Sequence, residues 1–208
     1  VSAKFDPRLV KGFYALSKVV VGAIFRAIWG LKAIDPQNVP MSGPVIIACN
    51  HIAYLDPPSL GVCSPRRVEY MAKQELFDIP FLGQLITLLG AFPVDRSRGD
   101  TAAMKTALGV LKGGACLGIF PEGTRNRGEE ALEPGLGTAL LAHWSGATVV
   151  PTFVTGTNKA RDFARFTVRF GEPIHIDKSR KASRDDLAKW SDELMKRIYE
   201  LRESTSGH

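Results

Sequence analysis

VIIACNHIAYLDPP, residues 45–58, decides the architecture. Val45 to Cys49 are five consecutive apolar or small residues behind the turn signal Ser42-Gly43-Pro44. The run is too short for a buried helix and predicts a strand covered on both faces, as in a parallel sheet. Asn50 and His51 then stand where that strand leaves the sheet. Asp56 follows five positions after His51, with Pro57 and Pro58 behind it. Two readings are open on these residues alone. Asp56 suits a helix start with proline in the first turn, leaving His51 as a polar loop residue. The same short segment can also fold back so that the carboxylate meets Nδ1 of the imidazole, fixes its tautomer and leaves Nε2 to take a proton.

Working outward, strand-like and helix-like patterns alternate. Residues 68–71 read as a strand, 81–89 as a helix, 90–94 as a strand, 101–112 as a helix and 116–120 as a strand. Residues 137–144 are helical in pattern, 148–153 extended, and 166–170 predict a further, more exposed strand. Residues 184–203 form an amphipathic final helix with Leu187, Trp190, Leu194, Ile198 and Leu201 at helical spacing. This alternation predicts an α/β fold, a mostly parallel sheet flanked by helices. In such sheets chemistry gathers beyond the C-terminal strand ends. The polar residues fall there: Asn50, His51 and Asp56 after one strand, Asp95 and Arg96 after another, and Pro121-Glu122-Gly123-Thr124-Arg125 after a third. Their recurrence on separate exits favours one shared cleft and the chemical reading of His51.

The 208 residues, 45% of them hydrophobic, suit one substantial core, placed here as a single α/β domain over residues 41–208. Cys49, Cys63 and Cys116 have no metal-ligand spacing and fit a reduced, cytosol-facing compartment. His51, His143, His175 and His208 form no zinc pattern, so neither metal nor cofactor is expected. The net charge of +6 points to an acidic partner. Its excess lies in residues 1–40, where Lys4, Arg8, Lys11, Lys18, Arg26 and Lys32 face only Asp6 and Asp35. Between these charges runs FYALSKVVVGAIFRAIWGL, residues 13–31, and Arg8, Lys11, Lys18 and Arg26 fall within roughly 80° of one another around a helix. Phe13, Val20, Ile24, Ile28, Trp29 and Leu31 occupy much of the rest. Residues 1–40 therefore predict an N-terminal amphipathic, membrane-associating helical segment. Lys18 and Arg26 interrupt what would otherwise be a span, so the segment is expected in the interface, as in a monotopic or peripheral protein on the cytoplasmic face of the membrane. Apolar residues among the charges favour anionic lipid over nucleic acid as the acidic partner.

A histidine and aspartate pair commonly activates a hydroxyl. The chain has no G-x-S-x-G elbow, Ser42, Ser59 and Ser64 have no nucleophile context, and Cys49 finishes a buried strand. The substrate can supply the hydroxyl instead, with His51 as general base and direct acyl transfer.

Four segments in order carry a resemblance: Asn50-His51 with Asp56, Gly90-Ala91-Phe92-Pro93-Val94-Asp95-Arg96, Phe120-Pro121-Glu122-Gly123-Thr124-Arg125, and Val150-Pro151. They resemble the motifs of the glycerophospholipid acyltransferases, and most nearly those that acylate 1-acyl-glycerol-3-phosphate. The resemblance covers about residues 43–153. It implies an acyl-CoA or acyl-carrier-protein thioester as donor, lysophosphatidate as acceptor and phosphatidate as product. Glycerol-3-phosphate or another lysophospholipid is the alternative acceptor. It further implies His51 as the base and Asp56 as its orienting partner. Arg96, Glu122, Gly123 and Arg125 would shape the acceptor site, with Arg125 offering a bidentate fork to phosphate and Glu122 holding the glycerol hydroxyl or orienting a basic neighbour. Lys73 resembles a phosphate-contacting lysine. Asn50, Phe92, Pro121, Thr124 and Pro151 would shape the pocket, with Pro151 expected at a strand edge or terminus. Asn126 stands where many relatives carry serine.

Overall fold

The computed structural model describes residues 6–94, 100–128, 131–177 and 182–203. Helix α1 spans Pro7–Trp29. Asp6 caps it by accepting from the Arg8 backbone N–H at 2.7 Å, and Pro7 opens it. Gly30 closes it at φ +56°, where its N–H bonds the Arg26 carbonyl and that of Leu31 bonds Phe25. The chain continues as β1 Lys32–Ile34, β2 Val45–Cys49, α2 Asp56–Cys63, β3 Val68–Lys73, α3 Leu82–Leu88, β4 Ala91–Val94, α4 Asp100–Lys112 and β5 Cys116–Ile119. There follow α5 Gly137–Ser145, β6 Thr148–Thr155, β7 Thr167–Phe170 and α6 Arg184–Glu203.

The described strands form one sheet in the order β1-β7-β6-β2-β5-β3-β4. From β4 to β6 every neighbouring pair is parallel, while β7 runs antiparallel to β6 and carries β1 parallel beside it. The sheet thus begins at Lys32, ahead of the boundary at residue 40 that charge alone suggested. β2 lies between β5 and β6 and is buried throughout. Val45, Ile47 and Cys49 face a core shared with Phe25 of α1 and Leu60 and Val62 of α2. Ile46 and Ala48 face the opposite core, with Leu111 of α4, Leu141 of α5 and Leu194 and Ile198 of α6. Alternate side chains of one strand therefore join both helical layers, which is why its sequence is apolar without interruption.

Two expectations are corrected. The strand at 167–170 is not the more exposed one: Thr167, Val168 and Phe170 are buried, Val168 and Phe170 in the core they share with Phe25 of α1, and β1 pairs along its outer edge. Pro151 sits inside β6, opposite Ala48 of β2, rather than at an edge or terminus. It stands just where the pairing with β7 runs out at Thr152, and its carbonyl accepts from the Gly171 N–H at 2.7 Å.

α1 packs differently from the amphipathic picture. Lys18 of the basic edge turns into the domain, where its ammonium donates to the Ser64 carbonyl and burial lowers its pKa. Trp29 is half-buried: its indole stacks on Phe166 at 4.9 Å and donates to the Ala160 carbonyl at 2.8 Å. Leu31 is core. The face turned away from the domain is apolar, with Leu9, Leu16, Val19, Val20 and Ile24 exposed. Residues 8–29 are long and apolar enough to cross a membrane by length and composition, at mean hydropathy 1.3.

Candidate active site

β2 and β5 deliver the site from adjacent positions in the sheet. His51 leaves the end of β2 and its imidazole is 18% exposed, whereas Asp56, the first residue of α2, is wholly buried. Nδ1 of His51 lies 2.8 Å from Oδ2 of Asp56. That oxygen also accepts the Ile52 and Ala53 backbone N–H groups, each at 2.7 Å. Oδ1 accepts the Thr157 hydroxyl at 2.5 Å. Two backbone N–H groups and a hydroxyl at the first turn of a helix fix the orientation of this buried carboxylate. Since it can only accept, Nδ1 must carry the imidazole proton, and Nε2 presents the lone pair. Phe120 stacks on the imidazole, with ring centroids 4.1 Å apart at 23°. The chain between His51 and Asp56 thus folds back as the chemical reading requires.

Glu122, expected to hold the glycerol hydroxyl or to orient a basic neighbour, lies against the main chain of His51. It is 8% exposed, and its carboxylate is engaged by the protein. Oε2 accepts the backbone N–H of His51 at 3.1 Å, and Oε1 accepts the Tyr199 hydroxyl at 2.6 Å and Asn126 Nδ2 at 3.3 Å. Asn126 also donates its backbone N–H to the His51 carbonyl at 2.6 Å and its amide to Tyr199 at 3.1 Å. Glu122 therefore anchors the main chain of His51 to α6. Burial, then the hydrogen bond to Glu122, pushes the Tyr199 pKa far up, which keeps it a donor.

Asn50 and Phe92 contribute as framework. Asn50, 1% exposed, clasps β6 by donating to the Val154 carbonyl at 3.0 Å and accepting its N–H at 2.7 Å. Phe92 lies in the core beneath α4 and α5. Pro121 lines an open cleft of about 410 Å³ together with Met71, Val94, Met104, Phe120 and Leu141, a largely apolar set. Gly123 turns the chain at φ +67°, a backbone angle that favours glycine, and no protein atom lies within 4 Å of where a Cβ would sit. Thr124 is exposed.

Among the expected phosphate contacts, Lys73 is the exposed last residue of β3. Arg125 lies over the Tyr54 ring, 3.7 Å from its centroid. Arg96 lies outside the described residues. Burial pushes the Cys49 thiol well above its usual range, with Asp56 and Glu122 adding to the effect. It is a neutral core thiol rather than a nucleophile. No three His, Cys, Asp or Glu side chains among the described residues come together as a metal-ligand group.

Thr157, Tyr199 and Tyr54 were missed by sequence reasoning. Thr157 meets Asp56 across 101 positions, and no local pattern encodes that contact. Tyr199 follows Ile198 on an amphipathic helix and carries no motif.

The acyltransferase family model matches residues 31–155, which includes His51, Asp56, Glu122 and Pro151. The 1-acyl-sn-glycerol-3-phosphate acyltransferase of Bacillus subtilis is 34% identical over 83% of this chain and 88% of its own length. That of Borreliella burgdorferi is 33% identical over 69% of this chain and 60% of its own length. In fold, the chain superposes on the 1-acyl-sn-glycerophosphate acyltransferase of Thermotoga maritima with a TM-score of 0.75 at 24% identity, over 97% of this chain and 84% of that one. With the paired histidine and aspartate at the end of β2 and the match extending through β6, the chain belongs to the acyltransferase family, and its relatives there include 1-acyl-sn-glycerol-3-phosphate acyltransferases.

Proposed function

We propose that the chain transfers a fatty acyl group from an acyl-CoA or acyl-carrier-protein thioester to the sn-2 hydroxyl of 1-acyl-glycerol-3-phosphate, giving phosphatidate. The observation that carries this reading is the half-open imidazole whose Nδ1 is fixed by a wholly buried carboxylate. Nε2 of His51 takes the hydroxyl proton as the oxygen attacks the thioester carbonyl. The new C–O bond forms, the C–S bond breaks, and the departing thiolate takes the proton from the imidazolium. This sequence needs neither an enzyme nucleophile nor a cofactor.

Lys73 and Arg125, with Arg96, supply the positive charge that an acceptor phosphate requires. The apolar cleft beside Phe120 and Pro121 offers surface for an acyl chain. The exposed apolar face of α1 supports binding to a membrane surface. α1 lies along the domain rather than away from it, through Lys18 on Ser64 and Trp29 on Phe166, which supports a monotopic arrangement. A thioester donor made in the cytoplasm then sets the cytoplasmic face. The test supplies purified protein in lipid micelles with an acyl thioester and either lysophosphatidate or glycerol-3-phosphate, with products resolved by mass spectrometry. Phosphatidate from the first supports the reading, and product from glycerol-3-phosphate alone replaces the acceptor.

A further inference from the structure

We infer that the loop from Thr157 to Arg165 is a second bilayer contact, separate from the exposed face of α1, that docks the rim of the active site onto anionic lipid. The inference rests on the reading of the substrate as a membrane lipid. β6 runs parallel to β2, so the loop after β6 emerges on the same edge of the sheet as His51. Thr157 at its start holds Asp56 directly. At its far end Phe163 is 71% exposed and takes φ +54°, a conformation uncommon for a bulky side chain. An aromatic ring held out in water beside a catalytic rim needs a partner, and the charges around it say which kind. Lys159, Arg161 and Arg165 flank it and are exposed, against Asp162 alone within the loop. An apolar tip inside a cationic collar complements an anionic bilayer surface.

The loop is also tied to α1. The Trp29 indole and the Phe163 backbone N–H both donate to the Ala160 carbonyl, at 2.8 and 3.2 Å. The Arg165 side chain lies against Gly30, the cap of α1, where a cation complements the helix C-terminus. Phe163 and the end of α1 thus form one fixed corner, and lipid binding there bears on the segment that orients Asp56.

The test uses full-length Phe163→Cys carrying an environment-sensitive fluorophore; Cys49, Cys63 and Cys116 are buried, so labelling is selective. Vesicles of phosphatidylcholine with and without phosphatidylglycerol are the probes. The expected result is a blue-shifted, brighter label on anionic vesicles, quenched by nitroxide-bearing lipid chains. Lys159→Ala with Arg161→Ala weakens the binding of the full chain to anionic vesicles roughly 30-fold. An unchanged spectrum while the protein co-sediments with the vesicles overturns the inference and leaves α1 as the contact. A second readout compares Phe163→Ser with wild type on lysophosphatidate in vesicles and on a short-chain lysophosphatidate dispersed as monomers. Loss of rate on vesicles only supports docking, and equal loss on both overturns it. A wild-type protein that acylates neither form sinks the substrate reading, while the fluorescence still decides the contact.

Discussion

Asp56 binds His51, two backbone amides and Thr157 at once, so the geometry of the proposed base depends on donors from two separate parts of the chain. Asp56→Asn keeps the shape but no longer fixes the tautomer, and should leave a small residual rate with the fold intact, read from turnover beside circular dichroism. Thr157→Val removes one charge-assisted hydrogen bond in a buried site and should lower kcat about tenfold with acceptor KM unchanged, a split that a general loss of folded protein does not produce. Tyr199→Phe keeps the ring on Phe153 but withdraws the donor from Glu122, loosening the main chain of His51. The same kcat-against-KM comparison checks it. Burial pushes Cys63 and Cys116 up to about 12. Raised pKa values leave the thiols protonated at pH 8, with thiolate at about one part in ten thousand. Iodoacetamide should leave activity of the folded protein unchanged; stoichiometric alkylation with loss of rate would restore a cysteine nucleophile. The five positions from His51 to Asp56 left two readings open, and the recurrence of polar residues at other strand exits made their meeting legible. Thr157 and Tyr199 were not, because only the finished sheet and the docking of α6 bring them there.

At the scale of elements, α1 shows what periodicity can and cannot tell. Its helical spacing and basic edge were legible, but which side meets the domain was not. Lys18, counted with the basic edge, bonds Ser64, and Trp29, counted with the apolar residues of the membrane-associating helix, is clamped by Phe25 and Phe166. Leu16 and Val20 are exposed and lie about half a turn around the helix from Lys18. Replacing both by serine should reduce vesicle co-sedimentation without lowering thermal stability. Phe25→Ala, in contrast, empties a buried site and should destabilise the fold by roughly 3–5 kcal/mol, checked by denaturant unfolding. Unchanged vesicle binding in the serine variant would remove α1 from the membrane account. Glu122 carries a similar lesson: the motif marked its position, while its partners on β2 and α6 assigned its role.

Over the whole molecule, the alternation of apolar runs and helical patterns made the parallel sheet legible, and β2 with its unbroken burial was the surest part of it. β1 was not legible, since three residues are too few to show a period, and β7 was legible as a strand but neither its reversed direction nor the covering of Phe166 by α1 was. The parallel order brings the exits of β2, β5, β3 and β6 to one edge, where a proton acceptor, exposed cations, an apolar cleft and the Phe163 loop gather. The central claim is that this edge performs direct acyl transfer with His51 as the base. Its most direct test is the rate of phosphatidate formation from lysophosphatidate and an acyl thioester, followed by mass spectrometry, for wild type and for folded His51→Ala. Loss of the base should lower the rate by at least about a hundredfold while the protein keeps its fold and its vesicle binding; near-normal turnover by the folded variant would contradict the account.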